Sequence, residues 1–225
     1  MAVWSVAMGW PANWRTADWS SARIAPDPAS DREAIIQIYA ARAGRWKGIF
    51  SVHTWVVIKP GNATGFTRYD VVGWGAPVRR NGYPPDGFWY GNTPEVIHEI
   101  RGEKAQLLIP AVEKAVRAYP FSERGRYRAW PGPNSNTFVS WIARQVPALG
   151  LEMPANAVGK DYLGEGLSVS RTPSGTGWQF SAWGLLGAAV AWHEGVEFHI
   201  LGATIGLDFN NLGVKLPGLG SLALN

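Results

Sequence analysis

The sequence of 225 residues contains no cysteine. This absence excludes disulfide bonds, thiolate metal sites and a cysteine nucleophile. Charged residues are also few, at 17% against 46% hydrophobic residues, so a core can form and extensive disorder is excluded. Long hydrophobic runs are missing too, since no apolar segment approaches the roughly 20 residues that a membrane-spanning helix needs.

The charge that is present is mildly basic, with a formal net charge of +4 and a pI of about 9.5. The lysines and arginines are scattered, and no nucleic-acid-binding motif occurs, so we expect no nucleic-acid partner. Attraction to an anionic surface, either membrane or cell wall, is compatible with this charge. No nucleotide-binding or zinc-binding motif occurs either, and we predict no cofactor and no metal. The oligomeric state is left open.

Tryptophan and glycine are abundant, with 13 and 27 residues, as is typical of β-rich proteins in which glycine marks turns and bulges. The apolar segments 49–60 and 66–75 flank a Pro-Gly turn and predict a β-hairpin. Two further strands are predicted over 34–42 and 95–102. The segment 78–94 is rich in turn residues and is predicted to be a loop.

Two helices are predicted, over 103–119 and 135–145, from apolar residues that recur on one helical face. The resulting fold class is α+β, an antiparallel sheet with packed helices. Residues 147–177 are predicted to be rich in loops. The glycine-rich tail, 178–224, predicts a β-hairpin that extends the C-terminus.

The N-terminal segment 1–13 begins with about ten apolar residues, too few to span a bilayer. We interpret it as the remnant of a membrane segment, or as an arm. Residues 14–225 are predicted to form a single α+β domain.

The stretch WPGPNSNTFVSWI, residues 130–142, places Ser135 where a loop becomes a helix. Free N–H groups and the helix dipole stabilise negative charge at such a position, which favours a nucleophile. The competing interpretation is that Asn134 or Ser135 simply caps the helix, because both residue types are preferred caps.

A serine nucleophile needs a base, and His53 lies within the strongly apolar strand of the hairpin. A histidine in this position can equally be a hydrogen-bonded core residue. If His53 is a base, a third group should orient its ring, and the next strand offers Asp70 or Tyr69.

Two other groups of residues carry weaker signals. Arg79 and Arg80 precede the aromatic segment 87–92, and together they predict either an anion- and ring-binding loop or a solvated turn. Glu197 and His199 share one strand face and could bind a metal ion, but a solvated strand face is the more common arrangement.

Four strings, RWKGIFSVHTWVVIKP, RYDVVGWGAPVRRNGY, WPGPNSNTF and KLPGLG, resemble the bacterial family of unknown function numbered 3750. The resemblance covers nearly the whole chain from about Trp14. It implies a bacterial cell-envelope protein, anchored to the inner membrane by an N-terminal segment. It implies no activity.

The order of a histidine on a strand, a polar residue on the next strand and an Asn-Ser pair at a helix start resembles the circularly permuted papain-like superfamily. Its members include lecithin:retinol acyltransferase and the NlpC-type peptidases. The resemblance places Ser135 at the nucleophile position, where the superfamily has cysteine, and His53 at the histidine position.

Two functions are therefore expected. One is an envelope hydrolase, or acyl or peptidyl transferase, that cleaves an amide or ester with Ser135, His53 and Asp70. The other is an inactive envelope protein that binds a ligand or acts as a scaffold through an aromatic, basic groove. For either function we expect substrate contacts from six residues: Trp55, Tyr69, Arg79, Arg80, Asn134 and Asn136.

Overall fold

The computed structural model describes residues 14–209 and 212–223. The segment 1–13, interpreted above as a membrane remnant or arm, lies outside the described residues.

The first sheet has five antiparallel strands in the order β4-β3-β2-β1-β5. Its strands are β1 (Ile35–Arg42), β2 (Val52–Lys59), β3 (Thr67–Val71), β4 (Val78–Arg80) and β5 (Glu95–Arg101). Strands β2 and β3 form the predicted hairpin, in which Val56 lies opposite Tyr69. Strand β2 begins later than predicted because residues 45–49 form a short 3-10 helix.

Strand β4 corrects the sequence prediction, which made the whole of 78–94 a loop. Its three residues pair with β3, so that Arg79 lies opposite Asp70. A three-residue strand is too short to show an alternating pattern in sequence, and the neighbouring turn residues hide it.

Helices α1 (Gly102–Arg117) and α2 (Ser135–Gln145) pack on one face of this sheet, as the α+β prediction requires. Their apolar faces meet inward-pointing strand residues, and the shared core includes Ile36, Ile38, Val56, Ile58, Ile109, Val112, Phe138 and Ile142. Among the described residues, neither helix has the length and apolarity of a membrane span.

The opposite face of the sheet carries a second, aromatic core. Trp55 stacks on Tyr39 with ring centroids 5.4 Å apart, and the Arg68 guanidinium lies 4.1 Å from the centre of the Trp55 ring. Because side chains alternate along a strand, Val52 and Val56 face the helices while His53 and Trp55 face this aromatic layer.

The C-terminal part forms a second antiparallel sheet of seven strands, each paired with the next along the chain. Its strands are β6 (Leu167–Arg171), β7 (Gly177–Ala182), β8 (Leu186–Ala191), β9 (Gly195–Ile200), β10 (Ala203–Asp208), β11 (Gly213–Leu216) and β12 (Gly220–Ala223). The prediction of a two-stranded hairpin over 178–224 was therefore too small, because this region contributes six strands to the sheet. The prediction of a loop-rich segment over 147–177 missed β6. Glycine-rich strands with a weak alternating pattern pair with their neighbours through the backbone, which the sequence pattern does not reveal.

The inner face of the second sheet holds a buried network of charges. Glu197 is 1% exposed and accepts hydrogen bonds from Lys160 Nζ at 2.9 Å and Lys215 Nζ at 2.8 Å. Lys215 Nζ also binds Glu152 Oε1, at 2.6 Å. These bonds join the sheet to the loop segment that follows α2.

Candidate active site

An open cavity of about 550 Å³ lies where the start of α2, the start of β2 and the end of the second sheet converge. Its walls are mostly apolar and strongly aromatic. They include Trp46, Phe50, Trp74, Trp89, Tyr90, Tyr127, Trp130, Val158 and Leu201. His53, Asn134, Ser135 and Asn136 line the same cavity, so the residues predicted as nucleophile and base share one cavity.

Asn134, rather than Ser135, caps helix α2. Its side-chain oxygen accepts hydrogen bonds from the backbone N–H groups of Asn136 and Thr137, at 2.9 and 3.1 Å. The Thr137 hydroxyl bonds back to the Asn134 N–H and completes a capping box. Ser135 is the first residue of the helix, and its hydroxyl has no hydrogen-bond partner among the described residues. The capping role is therefore filled without Ser135.

The cap also limits which donors can stabilise an oxyanion. The backbone N–H groups of Asn136 and Thr137 are already bound to Asn134. The N–H of Ser135 has no acceptor among the described residues, so it is the first-turn donor that remains for a bound ligand.

We expect Asn134→Ala to lower the free energy of unfolding by about 1–2 kcal/mol, the usual cost of losing a cap. Ser135→Ala should change it by less than about 0.5 kcal/mol, because no hydrogen bond is lost. Urea unfolding followed by tryptophan fluorescence measures both values. Equal losses in the two variants would contradict the assignment of the cap.

Asn136 ties the start of α2 to the strand that carries His53. Its side-chain nitrogen donates to the Val52 carbonyl at 2.9 Å, and its oxygen accepts from the Thr54 hydroxyl at 2.9 Å. The two partners flank His53 in the sequence. The side chain predicted to contact substrate thus fixes the helix against β2, next to the cavity.

His53 is 4% exposed and stacks flat on Trp89, with ring centroids 3.6 Å apart. Burial, and secondarily the positive charge of Arg68, lowers the pKa of His53 well below its ordinary value. The ring is therefore neutral at pH 7, and the same shift makes it a weaker base than a free histidine. Its Nε2 is buried with no hydrogen-bond partner among the described residues, and no hydrogen bond joins the ring to Ser135.

Neither of the two residues predicted to orient the His53 ring forms a hydrogen bond with its Nε2. Asp70 is held by Arg68, whose Nε lies 2.7 Å from Asp70 Oδ2, and both side chains are 1% exposed. Tyr69 faces the helices, on the other side of the sheet from His53. A one-residue change reverses the face of a strand residue, and position alone could not select between the two. Trp89 instead packs on the face of the imidazole ring, where it holds the ring by stacking and not by a hydrogen bond.

The remaining predicted contact residues lie outside the cavity lining. Trp55 is fully buried and donates from Nε1 to the Pro85 carbonyl at 2.8 Å. Arg79 donates to the Trp74 carbonyl at 2.6 Å, which fixes the loop that carries one aromatic wall residue. Arg80 is exposed at the end of β4. Among the described residues that line the cavity, Lys47 is the one with an ordinarily charged side chain.

Several cavity residues were not predicted because they are distant in sequence. Trp130 belongs to the loop before α2, and its Nε1 donates to the carbonyl of Leu201, at a hairpin tip of the second sheet, at 2.7 Å. Glycines admit two other wall residues, since a Cβ at Gly44 would lie 2.5 Å from Tyr90 and one at Gly73 would lie 2.8 Å from Tyr127. Clusters of tryptophan and glycine are the sequence signal that could have indicated these contacts.

Glu197 and His199 do face the same side of their strand, but that side is buried and not solvated. Glu197 binds two lysines, and His199 Nδ1 lies 3.1 Å from the Thr204 hydroxyl. Lysine ammonium groups bound to the carboxylate compete with a metal ion for the same oxygens. In residues 14–209 and 212–223, no group of three or more potential ligands is arranged to hold a metal.

The fold and the cavity define an α+β protein with a helix-start serine and a buried histidine on one aromatic cleft. A family model described as Protein of unknown function (DUF3750) matches residues 33–162, which is more than half of the chain. The chain belongs to this family. The matched region contains the first sheet, both helices, His53 and Ser135, and it ends before β6. No curated protein and no solved structure matches the chain.

Proposed function

We propose that this protein is a cell-envelope hydrolase, or acyl or peptidyl transferase, in which Ser135 attacks an ester or amide carbonyl. The observation that carries the proposal is the state of the Ser135 hydroxyl. The hydroxyl lies at the start of α2, on the wall of the cavity that His53 also lines. Asn134, and not Ser135, caps this helix. A hydroxyl without a structural partner is available for chemistry.

The steps follow from the groups present. Ser135 Oγ forms a bond to the carbonyl carbon while the neutral His53 ring accepts the hydroxyl proton. The Ser135 N–H and the dipole of α2 stabilise the oxyanion. When the tetrahedral intermediate collapses, the bond to the leaving alcohol or amine breaks and His53 returns the proton to it. Water or a second acceptor then releases the acyl group by the reverse sequence.

The cavity walls indicate the kind of substrate. Aromatic and aliphatic side chains dominate the lining, and they favour an apolar acyl or aromatic portion. Lys47 supplies a positive charge at the wall and suits an anionic group on the same molecule. An amphipathic ester or amide fits both features.

A place in the bacterial envelope is part of the proposal. The supporting features are the net charge of +4, which favours anionic surfaces, and the resemblance of the sequence strings to an envelope family. An N-terminal segment that includes residues 1–13 would provide the anchor to the inner membrane.

A second candidate function is binding of the same amphipathic ligand without turnover. The observation that favours binding without turnover is that the proposed catalytic groups are not joined by hydrogen bonds. No hydrogen bond joins Ser135 to His53, and Asp70 is bound to Arg68. Apo enzymes often show loose catalytic geometry that tightens when substrate binds, so a covalent probe of Ser135 separates the two candidates.

Labelling with a fluorophosphonate probe distinguishes the two functions. We expect the purified protein to be labelled at Ser135, and the label to be lost in Ser135→Ala and strongly reduced in His53→Ala. Ser140→Ala is the matched control, because Ser140 is a buried serine of the same helix outside the cavity lining. Its labelling should equal that of the natural chain.

If the natural chain takes no label but a fluorescent fatty acid still binds and quenches the tryptophans, the catalytic proposal fails and binding becomes the function. Labelling that persists in Ser135→Ala would assign the nucleophile to another residue.

A further inference from the structure

The seven-stranded sheet has an outer face that is almost wholly apolar. Directly paired residues share a face, so the register defines rows across the strands. The longest row reads Arg171, Trp178, Val190, Val196, Leu207, Val214 and Leu222. The next row reads Val169, Phe180, Ala188, Phe198 and Ile205. Arg171 is the one charged residue in these two rows.

The inner face has the opposite character. Its rows place Gln179, Glu197 and Lys215 in line across the sheet, and each of these residues is at most 3% exposed. An antiparallel sheet with one covered face ordinarily turns its apolar side inward and its polar side to water. Here the arrangement is reversed, and the apolar side is the uncovered one.

The exposure of this face is large. Val190 is 62% exposed, Phe198 56% and Trp178 56%. Seven strands at about 4.8 Å spacing and about 17 Å length give a projected area of roughly 570 Å². A continuous apolar patch of this size is among the largest that monomeric proteins expose, and such patches are often functional.

The apolar surface continues around the ends of the sheet. The turn residues Trp183, Trp192 and Leu201 are 52%, 71% and 59% exposed. Trp183 and Leu201 have positive φ angles of 55° and 53°, positions where hairpins in water prefer glycine, asparagine or aspartate. Bulky apolar residues at strained turn tips indicate that the tips are also covered.

This surface reaches the mouth of the cavity. Leu201 lines the cavity and its carbonyl accepts the hydrogen bond from Trp130, which is 52% exposed. Trp46 and Phe50, on the same cavity wall, are 64% and 54% exposed. The outer face, the hairpin tips and the cavity mouth therefore form one apolar surface.

We propose that the outer face of the seven-stranded sheet, with its hairpin tips, is a docking surface for the anionic lipid bilayer. The apolar rows enter the boundary between headgroups and acyl chains, and the tryptophans take the interfacial positions that their amphipathic rings favour. Arg171 lies 4.2 Å from the centre of the Trp178 ring and extends its guanidinium towards lipid phosphates.

A second copy of the chain fits this surface less well than a bilayer does. A sheet packed face to face covers the strand rows but not the turn tips at both ends or the cavity rim. A lipid surface contacts all of them at once. The net charge of +4 repels a second copy and attracts anionic lipid.

This docking surface rests on the envelope location in the proposed function, and it names the bilayer as the partner. It also provides a route by which an amphipathic substrate enters the cavity from the bilayer. Vesicle binding and labelling of Ser135 are separate measurements, so the failure of one is distinguishable from the failure of the other.

The test is flotation of the full chain with vesicles of phosphatidylcholine containing 20% phosphatidylglycerol, and with vesicles of phosphatidylcholine alone. The natural chain should float with both and more strongly with the anionic vesicles. Val190→Ser with Phe198→Ser should weaken partitioning by about 100-fold, roughly tenfold for each lost apolar side chain. Arg171→Gln should remove part of the preference for anionic vesicles.

Leu107→Ser is the control, because Leu107 is 71% exposed on α1, away from this sheet. It should bind vesicles as the natural chain does. Circular dichroism should show all variants folded, since each changed side chain points into solvent. The proposal is overturned if the natural chain does not float, or if the variant with both Val190 and Phe198 changed floats equally well. If the natural chain does not bind vesicles but forms a dimer that this variant dissociates, a second copy of the chain is the partner and the bilayer is not.

Discussion

Glu197→Gln is expected to lower the free energy of unfolding by about 3–5 kcal/mol, the range found when one partner of a buried ion pair is removed. The carboxylate neutralises Lys160 and Lys215 in a site where Glu197 and Lys215 are at most 1% exposed. Without it, two ammonium groups are left in a low-dielectric interior, and within residues 14–209 and 212–223 Lys215 retains Glu152 as its ion-pair partner. Urea unfolding of the variant measures the loss.

The matched control is Glu165→Gln. Glu165 is 60% exposed and its pair with Arg128 spans 3.6 Å, so its loss should cost less than about 1 kcal/mol. A loss in Glu197→Gln no larger than in this control would show that water already solvates the buried lysines.

The charge network also predicts that the free energy of unfolding decreases at acidic pH. Burial by itself raises the pKa of Glu197, but the charges of Lys160 and Lys215 together outweigh burial and lower the pKa to about 2 from an ordinary 4.5. Because the pKa is lower in the folded state, the unfolded chain binds the proton more readily in this range. The stabilisation is therefore complete above pH 4.5 and is lost as the pH falls towards 2. The Glu197→Gln variant should lack this part of the acid dependence.

Ser135→Ala and His53→Ala are each expected to reduce hydrolysis of an acyl p-nitrophenyl ester, such as the octanoate, by about 10,000-fold to 1,000,000-fold. Each removes one half of a proton-transfer pair, and the remaining half has little catalytic value alone. The double variant should be no slower than either single variant, because residues that act as a unit are not additive. Ser140→Ala should retain full activity.

The pH profile of kcat/KM provides an independent check on His53. Burial and Arg68 lower the pKa of His53, so the ring stays neutral at pH values below 6.5, the ordinary pKa of histidine. The acid limb of the profile should accordingly lie below pH 6.5. An acid limb above 6.5, or losses that multiply in the double variant, would show that Ser135 and His53 do not work together.

Much of the first sheet could be predicted from the chain itself. The apolar stretches of β2 and β3 flank a Pro-Gly turn, and the apolar stripes of α1 and α2 recur at helical spacing. These patterns are local, and they led to the α+β class, to the hairpin and to the helix that begins at Ser135. The stretch 130–142 also singled out the residues that meet at the cavity, because turn residues before an apolar run mark a helix start.

The group behind His53 could not be predicted in the same way. Asp70 is on the expected strand. However, it forms an ion pair with Arg68, which lies two residues earlier on the same strand. Trp89, from a distant loop, fills the space beside the imidazole ring. Which side chain contacts a ring depends on register and on loop packing, and neither leaves a local pattern.

The sequence alone therefore determined the elements with strong local periodicity and the absence of cysteine chemistry. The tertiary structure decided which of Asn134 and Ser135 caps α2, and it placed the serine hydroxyl on the cavity wall without a hydrogen-bond partner in the part of the chain that the structure describes. It also decided which face of the seven-stranded sheet is covered. Alternation shows that a strand has an apolar and a polar side, but only the contacts of Glu197 with Lys160 and Lys215 show that the polar side turns inward. Charge pairing between distant segments reversed the usual orientation, and that reversal exposes the apolar face.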